Sequence, residues 1–219
     1  MSCKPKDVKI PVNDNAGLHE VWNNSPVYIL RDINGHDTLA DLKLGQTIST
    51  TKWLVAVDKR LTLKQLLPAL QKLYKKRRKV SMHSDGKGQL YFTFMDSVQH
   101  KVSFVEATDL DLVPDIYTSQ KYFEQYPLAD VEFKKIHLYI HPDKIVLNDS
   151  IKFEPEISKQ QLLNRIKSFE KSMDTVPKQV YLNFLTRTNF DRFLNYYTFF
   201  KNNPLPKTQI SPKIFIFTP

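Results

Sequence analysis

The longest apolar runs in the chain, such as Trp53 to Val57 and Ile214 to Phe217, have the length of a strand, and none approaches the roughly 18 residues of a membrane-spanning helix. Between such runs, apolar residues recur at helical spacing. Leu63, Leu66, Leu67, Leu70, Leu73 and Tyr74 form one such series, and Leu162, Leu163, Ile166, Phe169 and Met173 form another. A chain of this kind must lay amphipathic helices on buried strands, which is the α+β class. It has the material to do so. Of 219 residues 41% are apolar, including 14 Phe, 10 Tyr and 2 Trp, and there are only 5 Gly. That composition excludes disordered, collagen-like and coiled-coil chains, and a single Cys excludes a disulfide framework.

Read in order, residues 1 to 25 are polar, with Pro5 and Pro11, and suggest a flexible tether. Pro26 to Leu30 reads as a strand, Asn34-Gly35 as a hairpin turn, and Asp37 to Leu44 as the return strand. Trp53 to Val57 is a buried strand that leads into the Leu63 to Tyr74 helix. Pro68 inside that series either falls in the first turn of a helix starting near Gln65 or bends it. Asp85-Gly86-Lys87-Gly88 is a turn, with Gln89 to Met95 and Lys101 to Glu106 as strands after it. This gives a first domain over 26–109.

Pro114 and Pro127 interrupt residues 110–130, whose apolar residues keep no sustained period, so this stretch reads as a connector. A second unit over 131–219 follows. Ile136 to Ile140 and Lys144 to Leu147 are strands around the turn His141-Pro142-Asp143, with Ile151 to Phe153 as a short third candidate. Ser158 is placed to cap a helix over Lys159 to Met173. Gln179 to Leu185 is a strand, and Thr188 is placed to cap a helix with inner face Phe190, Phe193, Leu194, Tyr197 and Phe200. Lys213 to Phe217 closes the chain. The expectation is two small sheet-plus-helix units, the second ordered ββαβαβ.

The second unit resembles the periplasmic domain of the ExbD and TolR family. The resemblance rests on Pro142 to Asn148, on Val180-Tyr181-Leu182-Asn183-Phe184 followed by Thr186-Arg187-Thr188-Asn189-Phe190, and on the closing Ile214-Phe215-Ile216-Phe217-Thr218. It covers Ile136 to Thr218. Family members have an N-terminal membrane helix whose Asp couples to the proton motive force. This chain has no such segment, so ion-driven motor function does not carry over. The resemblance implies a module that engages an envelope protein or a cell-wall component.

Met1-Ser2-Cys3, with a small residue directly before Cys and a polar stretch after it, resembles the mature start of a bacterial lipoprotein. Two readings of Cys3 stay open: lipidation behind a signal sequence that preceded Met1 in the gene, or an incidental thiol in a cytoplasmic protein. Lipidation would attach the protein to a membrane. The net charge of +9 is divided between residues 1–118, with 17 basic and 13 acidic groups, and the remainder, so it reads as diffuse. One cluster stands out, Lys75, Lys76, Arg77, Arg78 and Lys79. At a helix end these cations complement the dipole, and they are also the candidate partner-binding residues for a polyanion or nucleic acid.

No residue set announces catalysis. His137 and His141, four apart on a strand, are about 13 Å apart, too far to share a metal ion. Asp109, Asp111 and Asp115 lack the Gly and the distal Glu of a calcium loop, and Gly86-Lys87-Gly88 is too short for a phosphate loop. Tyr91, Phe92 and Phe94 invite comparison with a base-stacking sheet, but core packing under the first helix is their simpler use. The expectation is a non-catalytic binding or scaffold lipoprotein of the bacterial cell envelope, without cofactor or metal. The alternative is a cytoplasmic polyanion- or nucleic-acid-binding protein that uses Lys75 to Lys79.

Overall fold

The computed structural model describes residues 7–34, 37–45, 47–48, 50–81, 88–115, 118–127, 134–142, 144–147, 158–171 and 177–218. The protein is α+β and divides into two compact units, Met1–Asp109 with Asn189–Thr198, and Leu110–Thr188 with Phe199–Pro219.

The first unit contains β1 (Val12–Asn13), β2 (Asn24–Asn34), β3 (Asp37–Lys43), β4 (Lys52–Val57), α1 (Leu63–Ser81), β5 (Leu90–Asp96) and β6 (Lys101–Glu106). Strands β2, β4 and β5 run parallel side by side, with β3 and β6 added antiparallel at the two edges. The register places Val27 beside Val55 and Val55 beside Phe92, so these residues share one face with Ile29, Trp53, Val57, Leu90 and Phe94. All eight are fully buried. The Arg77 guanidinium over the Trp53 ring and Phe190 edge-on to Phe92 at 5.2 Å put α1 and the segment 189–198 on this face. Helix α1 starts at a capping box: the Thr62 N–H donates to Gln65 Oε1 at 2.9 Å, and the Gln65 N–H donates to Thr62 Oγ1 at 3.4 Å. Pro68 therefore sits in the second turn, past the first-turn position where its missing N–H would be harmless.

The second unit contains β7 (Asp111–Asp115), α2 (Ser119–Gln125), β8 (Lys134–Ile140), β9 (Ile145–Leu147), α3 (Lys159–Lys171), β10 (Lys178–Leu185), β11 (Thr208–Ile210) and β12 (Lys213–Phe217), with α4 (Phe190–Asn202) between β10 and β11. Strands β8, β10, β12 and β7 are parallel neighbours in that order, and β9 closes the sheet antiparallel to β8. Four adjacent parallel strands need cover on both faces, and every residue of β10 but Gln179 is buried. On one face Phe123 of α2 packs with Tyr181 and Phe215. Ser158 and Gln161 form a capping box for α3, as the sequence suggests for Ser158. Asn189, and not Thr188, caps α4, accepting the Arg192 N–H at 2.9 Å on its side chain.

Several sequence boundaries change. Residues 8–25 are built into the first unit, so the tether reading fails for them: the Met95 N–H donates to the Pro11 carbonyl at 2.8 Å, and Leu18 pairs with Phe104 in both directions. A Cβ on Gly17 would meet the Phe94 ring at 2.6 Å, which is why this strap carries glycine there. The 110–130 connector contains β7 and α2. It looks aperiodic because β7 is a five-residue edge strand and α2 has only seven residues, too few for either period to register. The second unit thus begins near Leu110, ahead of residue 131, and residues 189–198 return to the first. Ile151 to Phe153 and Met173 lie outside the described residues.

Asp58, fully buried after β4, is gripped by Arg60 through Nε at 2.8 Å and Nη2 at 2.6 Å. Burial alone would raise the carboxyl, but the Arg60 side-chain and backbone donors outweigh it and hold the group below its ordinary range. A carboxyl depressed in the folded state adds stability above the ordinary carboxylate range, and that stability is lost as pH falls through the folded value. Asp58→Asn is expected to cost about 1–3 kcal/mol at neutral pH and to flatten the acid limb of a urea-melt series against pH. An unchanged acid limb would show that Asp58 does not contribute. Residues 1–109 alone lack Phe190 and Phe193, which the full chain buries in this unit, and are expected to melt well below the full chain. Phe190→Ala within the full chain should cost about 3–5 kcal/mol.

Candidate binding surface on the basic helix

Helix α1 holds seven Lys and Arg and no Asp or Glu, whereas the other 200 residues carry 25 cations against 23 anions. The charge that looks diffuse when the sequence is halved is thus concentrated on one element. At about 100° per residue, Lys64, Lys72, Lys75, Lys76, Arg78 and Lys79 fall within roughly 160° of arc, opposite the buried Leu66, Leu70 and Leu73. All six are exposed.

The fifth member of the 75–79 run goes the other way. Arg77 is buried, continuing the inward series from Leu66, Leu70 and Leu73. Its guanidinium lies 4.6 Å from the Trp53 ring centre and donates from Nη2 to the Thr51 carbonyl at 2.8 Å. A Cβ on Gly88 would collide with the same guanidinium, so the bare backbone of Gly88 gives Arg77 its space. Burial pulls the Arg77 guanidinium below its ordinary pKa. Lys76 bends toward the same ring, with Nζ 5.7 Å from the Trp53 centre and 3.3 Å from Thr47 Oγ1. Of the sequence candidates, then, Lys75, Lys76, Arg78 and Lys79 form part of a surface, and Arg77 belongs to the core. Lys64 and Lys72, not singled out by the sequence reading, belong to that surface. Counting acids helix by helix, rather than half by half, reveals them. Cys3 lies outside the described residues.

Phe92 and Phe94 are fully buried and Tyr91 nearly so, which leaves none of the three free to stack on a base. His137 is half-buried. It lies on β8, with Nδ1 2.7 Å from Ser119 Oγ and its ring stacked on Tyr181 at 6.0 Å. Asn183 completes this group, accepting the Ser119 N–H at 2.6 Å and donating to the Leu138 and Tyr181 carbonyls at 3.2 and 3.1 Å. Ser119 has no exposed surface and gives its N–H to a side chain, so the arrangement fastens the first turn of α2 to the sheet. His141 is edge-on to Phe217 at 6.3 Å. Asp111 and Asp115 stand at the two ends of β7, and among the described residues no three His, Cys, Asp or Glu are grouped to hold a metal ion.

Comparison with protein-family models, with curated proteins and with solved structures gives no match.

The two kinds of cation on α1 should respond oppositely to truncation. Arg77→Ala removes a buried stem, a cation–π contact and a hydrogen bond, and is expected to cost about 2–4 kcal/mol in chemical denaturation. Lys75→Ala should change stability by less than about 0.5 kcal/mol. Equal effects would mean that Arg77 is no more structural than its neighbours.

Proposed function

We propose that the protein is a non-catalytic binding or scaffold protein of the bacterial cell envelope, held at a membrane through acylated Cys3, whose second unit engages an envelope protein or a cell-wall component in the manner of an ExbD/TolR-like module. The observation that supports this most is the element order of the second unit. From β8 onward the chain runs strand, hairpin partner, helix, central parallel strand, helix and then two parallel strands, β11 and β12, with Asn189–Thr198 counted in the first unit; of the residues that carry the family resemblance, Ile145 to Leu147, Val180 to Phe184, Phe190 and Ile214 to Phe217 fall on these elements. Leu182 and Asn183 lie in the central strand, and Ile214 to Phe217 lie in its parallel neighbour. Strand β7 and helix α2 are additions in front of that series. Among the described residues no helix is long and apolar enough to cross a membrane, so attachment in this reading falls to Cys3. A second reading, polyanion or nucleic-acid binding in the cytoplasm, is favoured by the charge on α1.

Expression from the native gene separates them. In the envelope reading the chain fractionates with membranes and its N-terminal peptide carries an acyl mass on Cys3, while Cys3→Ala moves it to the soluble fraction. Soluble, unmodified protein in both strains would favour the cytoplasmic reading.

A further inference from the structure

We propose that the outer face of α1 is a docking surface for an anionic phospholipid bilayer; this rests on the envelope reading and names the surface that would lie against the membrane. Three features of α1 point outside the protein. Its cations repel one another: Lys72 and Lys76, and Lys75 and Lys79, are like charges four apart on a helix, an arrangement that destabilises it. The helix dipole accounts only for Arg78 and Lys79 in the last turn, whereas Lys64 sits in the first turn, where a cation opposes the dipole and no acid offsets it. The charge also has a shape. Lys64, Lys72, Lys75 and Lys79 line up along one ridge about 22 Å long, a straight row suited to a flat array of phosphates.

Among the described side chains, the exposed half of the helix bears Pro68 and Gln71 besides its cations and no aromatic ring, so over this stretch there is no platform for stacking bases and no large apolar wedge. Attraction to a headgroup layer is the chemistry that remains, sensitive to salt and worth about a fivefold change in partitioning for each lysine that reaches the surface. With Arg77 packed on Trp53 behind it, the ridge is held on a fixed helix.

The test uses the full chain without acylation, so its result does not depend on Cys3. Sedimentation with vesicles of phosphatidylcholine containing about 30% phosphatidylglycerol, at about 50 mM salt, is expected to pellet the protein. Vesicles of phosphatidylcholine alone should not. Combined Lys64→Gln, Lys72→Gln, Lys75→Gln and Lys79→Gln should lower partitioning by about two orders of magnitude or more and leave the thermal midpoint unchanged or raised, since like-charge repulsion is relieved. Release of the unaltered protein by about 500 mM salt reads out the same attraction without a substitution. No pelleting with anionic vesicles, equal pelleting with neutral ones, or full binding by the four-site variant would overturn the proposal. So would tighter binding to a random oligonucleotide at the same salt, which would assign the ridge to nucleic acid. If the vesicle result holds while native protein carries no acyl group, the envelope reading has failed and the lipid-binding face stands.

Discussion

Trp53 is the residue on which the first unit turns. It stands in the middle parallel strand, in register with Ser25 on one side and Leu90 on the other, and is fully buried. Its indole N–H donates to the Ile48 carbonyl at 3.0 Å, and Thr51 Oγ1 donates to that same carbonyl at 3.0 Å. Thr51 Oγ1 also lies 2.7 Å from Ser25 Oγ, which accepts the Ile48 N–H at 3.2 Å. The approach to β4 is thus tied to the sheet through one aromatic ring and two hydroxyls. On the other side of the ring lies Arg77, which brings in the C-terminal half of α1. A buried guanidinium is tolerable there because its flat face meets the indole and Nη2 finds the Thr51 carbonyl, although Nε is left without a hydrogen-bond partner among the described residues.

Asn183 plays a comparable part in the second unit by different means. It is a fully buried amide between the apolar Leu182 and Phe184, and such a group is costly unless every polar atom is paired. Here its oxygen accepts the first N–H of α2, and its nitrogen serves two sheet carbonyls. A seven-residue helix has little stability of its own. What holds it is this hydrogen bond, the Ser119–His137 contact beside it, and the Phe123 ring buried among Tyr181 and Phe215. Because both ends of these bonds are interior, removing Asn183 would leave the α2 N–H and two carbonyls to find other partners.

The sequence expressed long, regular elements well and local ones poorly. Trp53 to Val57 and the α1 series each carry five or more apolar positions, and the Lys159 helix buries Leu162, Leu163 and Ile166, so burial and pattern agree. The strap at 8–25 was illegible because it joins the sheet through backbone groups, as at Pro11 and Leu18, and backbone hydrogen bonds leave no residue pattern. Strand β7 and helix α2 were illegible because neither is long enough to repeat. The Asn189 cap was hidden by a neighbouring Thr188 that is equally suited by residue type, and backbone geometry alone chooses between them. On the basic helix the direction of Arg77 was available in principle: 63, 66, 70, 73 and 77 follow one face at helical spacing. Charge class obscured it, since a guanidinium is not expected to continue a leucine row.

Five consecutive cations on a helix cannot all face solvent, because 100° per residue carries one of every three or four onto the packed side. The fold must therefore bury a cation or end the helix, and here it buries the one whose planar group can stack. The remaining cations are separated from that solution by geometry: they gain nothing from Trp53 apart from Lys76, and the dipole serves only those in the last turn. Lys64 and Lys72 lie outside the run, about three turns and just under one turn before Lys75, yet they continue the same outer face. A row that extends beyond what capping and packing require is the part of α1 that structural stability does not explain.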